Sequence, residues 1–82
     1  MTYQLSIITP NGKLFDDQIE FLKVKGSAGE LGILARHTPF ITTLKKGVLA
    51  INQKIFFAIN SGILEVDGGG HVVILADDAV PV

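Results

Sequence analysis

The sequence predicts an all-β domain, a sandwich or barrel of short antiparallel strands. Apolar runs of 4–7 residues recur at a spacing of roughly 8–12 residues, which is the rhythm of such folds. Each run is bounded by Gly, Pro, Asn or Asp, the residues that favour turns. No segment keeps the 3.6-residue period of an amphipathic helix. With 82 residues, of which 48% are hydrophobic, the chain has the size and composition of one packed domain.

The first strands are predicted from alternation of apolar and polar residues. Residues 3–7 alternate, which indicates a half-buried strand, and Thr9-Pro10-Asn11-Gly12 has the composition of a turn. A short return strand is expected over residues 13–15, ended by Asp16-Asp17. Residues 19–25 alternate again, with Leu22 and Val24 on the face toward the core.

The second half of the chain is predicted to be a series of hairpins. Pro39 precedes a strand over residues 40–44, a position where its missing N–H costs no ladder hydrogen bond. Further strands are expected over residues 48–51, 55–59, 63–66 and 71–75. The turns between these strands are Lys45-Lys46-Gly47, Asn52-Gln53-Lys54, Asn60-Ser61-Gly62 and Asp67-Gly68-Gly69-Gly70. The tail from Ala76 to Val82 is too short for a helix of its own.

Composition argues against several classes of function. The chain has no cysteine, which removes disulfides and thiolate chemistry. The net charge is -1 and the basic residues are scattered, so nucleic acid is not an expected partner. No nucleophile–base set and no metal-ligand set can be assembled, so we expect no catalytic residue, metal or cofactor. The apolar runs are too short to span a bilayer, and membrane association is expected only through a protein partner.

One glycine-punctuated stretch, residues 26–39, stands apart from the strands. Gly26, Gly29 and Gly32 fall three residues apart, and Glu30, Arg36 and His37 follow closely in a chain with few charges. The stretch lacks the terminal Gly-Lys-Ser or Gly-Lys-Thr of a phosphate-binding loop and the strand–loop–helix context of a dinucleotide site. We interpret it as a shaped loop with positive φ at two or three glycines, which displays polar groups to a partner.

Two alternatives without catalysis of their own remain open at this point. Lipoyl and biotinyl carrier domains are β-sandwiches of similar length with a modified lysine at a hairpin tip, and Lys45 or Lys46 could hold that place. Their neighbours here, Leu44 and Gly47, match that pattern poorly. A generic β-sandwich adaptor is the other alternative.

The stretch Gly26-Ser27-Ala28-Gly29-Glu30-Leu31-Gly32-Ile33, followed by His37-Thr38-Pro39, resembles the signature of the ATP synthase epsilon subunit family. Two further blocks are similar to that family, Gly62-Ile63-Leu64-Glu65-Val66 and Val73-Ile74-Leu75-Ala76-Asp77. The resemblance covers essentially the whole chain as one domain, residues 1–82. It implies a flattened antiparallel β-sandwich of about ten short strands.

The resemblance also implies a role and a set of contact residues. The family's sandwich is a non-catalytic part of the rotating central stalk, between the gamma subunit and the membrane c ring of a proton-transporting synthase. By position, Gly29, Glu30, Leu31 and Gly32 would meet the c ring, and His37 and Thr42 would meet gamma. The resemblance further implies a peripheral membrane protein that, in bacteria, lies on the cytoplasmic face of the inner membrane as part of the synthase complex. Exposed aromatic residues, Phe21, Phe40 and Phe56, are expected to add interface area.

The sequence departs from the family in two respects. Family members commonly continue into two C-terminal helices, which are absent from these 82 residues, so inhibition by helix insertion and nucleotide binding are not expected of them. Leu34-Ala35-Arg36 stands before His37, where relatives often have an aromatic residue, Pro and Gly. Arg36 would add a positive charge near the gamma contact.

Overall fold

The chain forms ten β-strands and no helix over residues 1–35 and 38–82, the parts that the computed structural model describes. The strands are β1 (Tyr3–Thr9), β2 (Gly12–Ile19), β3 (Phe21–Gly26), β4 (Gly29–Leu34), β5 (Phe40–Leu44), β6 (Gly47–Ile51), β7 (Ile55–Ile59), β8 (Gly62–Val66), β9 (His71–Ala76) and β10 (Ala79–Pro81). The all-β prediction is therefore confirmed for the described residues.

The strands form two layers, and the strand ladder passes from one layer to the other at a single point. The hydrogen-bonded order is β10-β7-β6-β3-β5-β8-β9-β1-β2, with β4 pairing β3. A single residue pair, Gly26 with Leu44, joins β3 to β5. We call β4, β3, β6, β7 and β10 the first layer, and β5, β8, β9, β1 and β2 the second layer. All pairings are antiparallel except that of β1 with β9, which is parallel.

The core lies between the layers and follows from the period of two in each strand. In β3 Leu22 and Val24 are buried while Lys23 and Lys25 are exposed, as the alternation predicts. In β8 and β9 the buried residues are Leu64, Val66, Val72, Ile74 and Ala76. The second face of each strand points outward, and its composition decides what the outside of the sandwich can bind.

Two elements differ from the predictions at the chain's edges. Asp16 and Asp17 do not end β2, which continues to Ile19. The reason is that β2 is an edge strand, where charged side chains reach solvent and are compatible with strand pairing. No strand was predicted in the tail, but residues 79–81 form β10 against β7.

The β6–β7 turn is tied to the start of β3 by an asparagine. Asn52 and Gln53 have left-handed backbones, with φ of 53° and 57°, and asparagine tolerates this conformation better than most residues. The Asn52 Oδ1 atom accepts hydrogen bonds from the N–H groups of Glu20 and Phe21 at 2.8 and 3.0 Å. This contact fixes the base of the β3–β4 hairpin.

Candidate functional site

The glycine stretch was predicted as a shaped loop, and its first part, to Leu34, forms the β3–β4 hairpin. Gly26 pairs with Gly29 and the strands stay in register to Phe21 and Leu34. Ser27 and Ala28 make a two-residue turn. Gly29 has a φ of 129°, and a Cβ atom placed there would meet nothing within 4 Å. Glycine is therefore required at this position by backbone conformation and not by crowding.

The other two glycines have a different cause, which corrects the expectation of positive φ at two or three positions. Gly26 and Gly32 lie in strands without positive φ. A Cβ on Gly32 would lie 3.1 Å from Cε1 of the Phe21 ring, so the ring packs against the bare backbone. A Cβ on Gly26 would lie 3.0 Å from Cδ1 of Leu31. These glycines make room for neighbouring side chains.

The hairpin is held at three places while its tip stays exposed. The buried Tyr3 hydroxyl donates a hydrogen bond to the Ile33 carbonyl, and burial raises the pKa of Tyr3 to about 12, so the hydroxyl keeps its proton. Ser27 N–H donates to the Thr43 carbonyl at 3.1 Å, and Lys45 N–H donates to the Lys25 carbonyl at 2.9 Å. The exposed tip, residues 27–30, is therefore presented in a fixed orientation.

Glu30 carries the negative charge of the tip. Its carboxylate lies 3.4 Å from the Lys23 Nζ atom, and both side chains are more than half exposed. An exposed pair of this kind is weak and can exchange partners. The carboxylate is thus available to a donor on a docking surface. Leu31 is half-buried and packs against the core, whereas Gly32 is exposed.

The two residues expected at the gamma contact have different outcomes. Thr42 is half-buried on β5, and its hydroxyl donates to the Thr43 carbonyl at 3.3 Å. Its neighbours Ile41 and Thr43 are the exposed residues of that strand. His37 lies outside the described residues, as does Arg36. The structure therefore brings Gly29, Glu30, Leu31 and Gly32 together on one hairpin and leaves Thr42 on the adjoining strand.

The exposed apolar surface is largely aliphatic and not the aromatic set that was expected. Phe21 lies over Gly32, and Phe40 packs against the core. Of the three expected residues only Phe56 is exposed. On the second layer the outward residues Ile41, Leu75 and Ile63 are 67%, 50% and 45% exposed. Sequence reasoning missed this surface, although the unbroken apolar run Val72–Ala76 was a usable signal, because such a run predicts apolar residues on both faces of a strand.

A polar cluster on β1, β2 and β9 brings a serine, a histidine and an aspartate together. Ser6 Oγ donates to Asp16 Oδ1 at 2.8 Å and lies 3.1 Å from His71 Nε2. The hydrogen bonds from Ser6 and Gln4, with Lys13 near the carboxylate, lower the pKa of Asp16 to about 2. Ser6 is 3% exposed, and its hydroxyl donates a hydrogen bond to the Asp16 carboxylate. The arrangement therefore joins three strands and does not present a nucleophile.

The described part of the chain has neither a cluster of metal ligands nor a membrane-spanning helix. Within residues 1–35 and 38–82, no group of three or more His, Cys, Asp or Glu side chains is placed to hold a metal ion. The same residues contain no helix of the length and apolarity needed to cross a bilayer.

The fold and the hairpin define a small β-sandwich domain with a braced, projecting tip. The family model described as "ATP synthase, Delta/Epsilon chain, beta-sandwich domain" matches residues 2–82. The chain therefore belongs to the delta/epsilon family of ATP synthase. This membership displaces the carrier-domain and generic-adaptor alternatives.

A curated relative and two solved structures agree with this assignment. The chain is 42% identical over 81 residues to the ATP synthase epsilon chain of Desulforamulus reducens, covering 95% of this chain and 61% of that relative's length. A chain in a cryo-EM structure of Euglena gracilis mitochondrial ATP synthase (OSCP/F1/c-ring) superposes with a TM-score of 0.87 at 23% identity, covering 94% of this chain and 51% of the other. A chain from the Tetrahymena thermophila mitochondrial ATP synthase central stalk and c ring gives 0.80 at 16% identity, covering 93% and 63%. These two likenesses show that the fold is shared.

Proposed function

We propose that this domain is a non-catalytic part of the central stalk of a proton-transporting F-type ATP synthase, docked between the gamma subunit and the membrane c ring. Its task is then mechanical, since it turns with both partners and couples ion translocation to ATP synthesis. Family membership and the names of the relatives support this role. In a bacterium the complex would place it on the cytoplasmic face of the inner membrane.

The braced β3–β4 hairpin is the observation that carries the proposal. A coupling element must transmit force without deforming, and the hairpin combines an exposed tip with three hydrogen bonds to the rest of the domain, from Tyr3, to Thr43 and from Lys45. A close-packed sandwich behind it resists compression. Gly29 has no side chain, so the tip can approach the polar loops of a ring closely, and the Glu30 carboxylate can accept hydrogen bonds from them. We assign the c ring contact to Gly29 and Glu30 at the tip and to the next two residues, Leu31 and Gly32.

Charge reversal at Glu30 tests the tip contact. In cells lacking their own epsilon subunit, Glu30→Lys should lower the amount of this protein on washed membranes by about tenfold, because a charge-assisted hydrogen bond contributes about 1.5–3 kcal/mol. Proton pumping driven by ATP should fall in parallel. Glu20→Lys is the matched control, as Glu20 is exposed at the other end of β3. Unchanged pumping and membrane content in Glu30→Lys would remove Glu30 from the contact.

A further inference from the structure

Three lysines are gathered beside the tip of the β3–β4 hairpin. Lys25 lies on β3, and Lys45 and Lys46 form the turn between β5 and β6. The pairing of Gly26 with Leu44 brings this turn beside the hairpin, and the Lys45 N–H donates to the Lys25 carbonyl at 2.9 Å. All three lysine side chains are exposed. We call Lys25, Lys45 and Lys46 the lysine patch.

The sheet leaves room for the Lys25 side chain to lie beside this turn. A Cβ atom on Gly47, the first residue of β6, would lie 3.2 Å from Lys25 Cδ and 3.6 Å from Lys25 Cβ. The aliphatic stem of Lys25 therefore covers the bare backbone of Gly47, directly after Lys45 and Lys46. A lysine stem that lies along a surface in this way keeps its ammonium group in water.

The charges of the lysine patch are not neutralised within the described part of the chain, where no member of the patch forms an ion pair. Glu30 lies 3.4 Å from Lys23 instead. Asp77 follows β9 at the same end of the sandwich, and its carboxylate accepts from Asn60 Nδ2 and the Ser61 N–H. Three like charges at neighbouring positions repel one another, and anions supplied by a partner relieve that repulsion.

The composition of the lysine patch favours a hydrated anionic surface over a protein interface. Lysine is depleted in protein interfaces, where arginine and aromatic residues are enriched. Its ammonium group is a compact, strongly hydrated charge on a flexible stem, without the planar fork that pairs arginine with one carboxylate. The anionic headgroups of a bilayer present many such hydrated anions, and each lysine near that surface adds to the attraction.

We propose that the lysine patch binds the anionic phosphate headgroups of the membrane surface beside the c ring. This inference rests on the proposed function, which assigns the neighbouring hairpin tip to the c ring and so brings the patch near the bilayer. The sequence predicted membrane association only through a protein partner, and the patch adds a direct electrostatic contact without insertion. Because the contact selects no single lipid, it can move along the surface as the stalk turns.

The test measures partitioning of this chain onto sedimented vesicles, with no other subunit of the synthase present. Vesicles of equal parts phosphatidylglycerol and phosphatidylcholine are compared with vesicles of phosphatidylcholine alone. We expect binding to the anionic vesicles only, weakening as salt is added. Changing all three lysines of the patch to glutamine should reduce partitioning about 100-fold, and Lys45→Gln alone about fivefold, because each lysine near an anionic surface contributes separately.

A lysine at the other end of the domain supplies the matched control. Lys54 is exposed in the turn that follows β6, whereas Lys45 and Lys46 precede that strand. Lys54→Gln should partition onto the anionic vesicles as the wild type does. Circular dichroism and thermal unfolding of every variant check that the fold is intact, which the exposure of these lysines leads us to expect.

Three results would overturn the inference and leave the proposed function standing. The first is equal partitioning of the wild type and the triple variant, or equal binding to both kinds of vesicle. The second is displacement by inorganic phosphate beyond that by sodium chloride at the same ionic strength, which would identify a site for a free phosphate ion. The third is a wild type that binds neither vesicle while the triple variant is lost from washed cell membranes, which would identify acidic protein loops as the partner.

The proposed function is judged by a separate measurement. Failure of the wild type to restore ATP-driven proton pumping to cells lacking their own epsilon subunit would overturn it, whatever the vesicles show.

Discussion

The β3–β4 hairpin and the outward face around β8 are built on opposite principles. This face consists of Ile41, Ile63, Glu65, Val73 and Leu75, and we call it the β8 surface. The hairpin is shaped by backbone requirements, with a left-handed Gly29 and a bare Gly32 beneath the Phe21 ring. The β8 surface lies on regular strands and is defined by which side chains point outward. A contact through the hairpin depends on the path of the chain, whereas a contact through the β8 surface depends on composition. Substitutions should therefore disturb the two regions by different routes.

The largest expected effect separates the two faces of β8. Leu64→Ala should lower the free energy of unfolding by about 2–5 kcal/mol, because it leaves a cavity at a fully buried position. Ile63→Ser, one residue away and pointing outward, should lower it by less than about 1 kcal/mol. Urea unfolding of both variants measures the difference. Equal losses would mean that the outward residues of β8 contribute to stability as much as the buried residues do.

A second prediction concerns the two kinds of glycine in the hairpin. Gly29→Ala should destabilise the domain by about 1–3 kcal/mol, because an alanine at a φ of 129° is strained even in open space. Gly32→Ala should have a smaller effect, below about 1 kcal/mol, because the half-buried Phe21 ring can shift by a few tenths of an ångström. Thermal unfolding tests this order, and a larger loss at Gly32 would reverse the explanation given for the two positions.

The polar cluster beside the β8 surface predicts a dependence on pH. The pKa of Asp16 is about 2 in the folded chain against an ordinary value of 3.8, so its contribution to stability is present above about pH 4 and is lost as the pH falls toward 2. Ser6→Ala removes the largest cause of the shift and should raise the pKa of Asp16. An NMR titration of the carboxyl carbon follows it. An unaltered midpoint in Ser6→Ala would assign the shift to Gln4 and Lys13.

The smallest effect is expected at the ion pair of the tip. Lys23→Gln should change the free energy of unfolding by less than about 1 kcal/mol at low salt, because the pair with Glu30 is exposed on both sides. The difference should shrink further in high salt. A double-mutant cycle with Glu30→Gln isolates the pair energy. A coupling energy well above this value would mean that Lys23 holds the Glu30 carboxylate firmly, so that it is not available to a partner.

Much of the fold could be predicted from local pattern. The alternation over residues 19–25 predicted which side of β3 is buried, and turn residues marked the hairpins, because both depend on near neighbours in the chain. The strand β10 and the full length of β2 could not be predicted in this way. Asp16 and Asp17 oppose a strand locally, and the edge position of β2 together with the hydrogen bonds of Asp16 to residues on β1 offsets that preference.

The candidate site, too, could be predicted only where it depends on local sequence pattern. The hairpin was conspicuous because its glycines interrupt a pattern. The β8 surface was hidden because Ile63 and Leu64 have the same hydrophobicity, and only the register of β8 with β5 and β9 shows which of them faces outward. The cause of each glycine was also beyond the sequence, since Phe21 over Gly32 is a contact across the hairpin.

The parallel pairing of β1 with β9 has a consequence for the order in which the chain matures. Gln4 pairs with His71 and Ile8 with Leu75, so the first strand meets this second partner only after residues 71–76 have been synthesised. On a ribosome β1 and β2 can pair early, but the second layer stays open until residues 71–76 have emerged from the exit tunnel. Such long loop closure slows folding, and until it occurs β1 lacks its β9 neighbour.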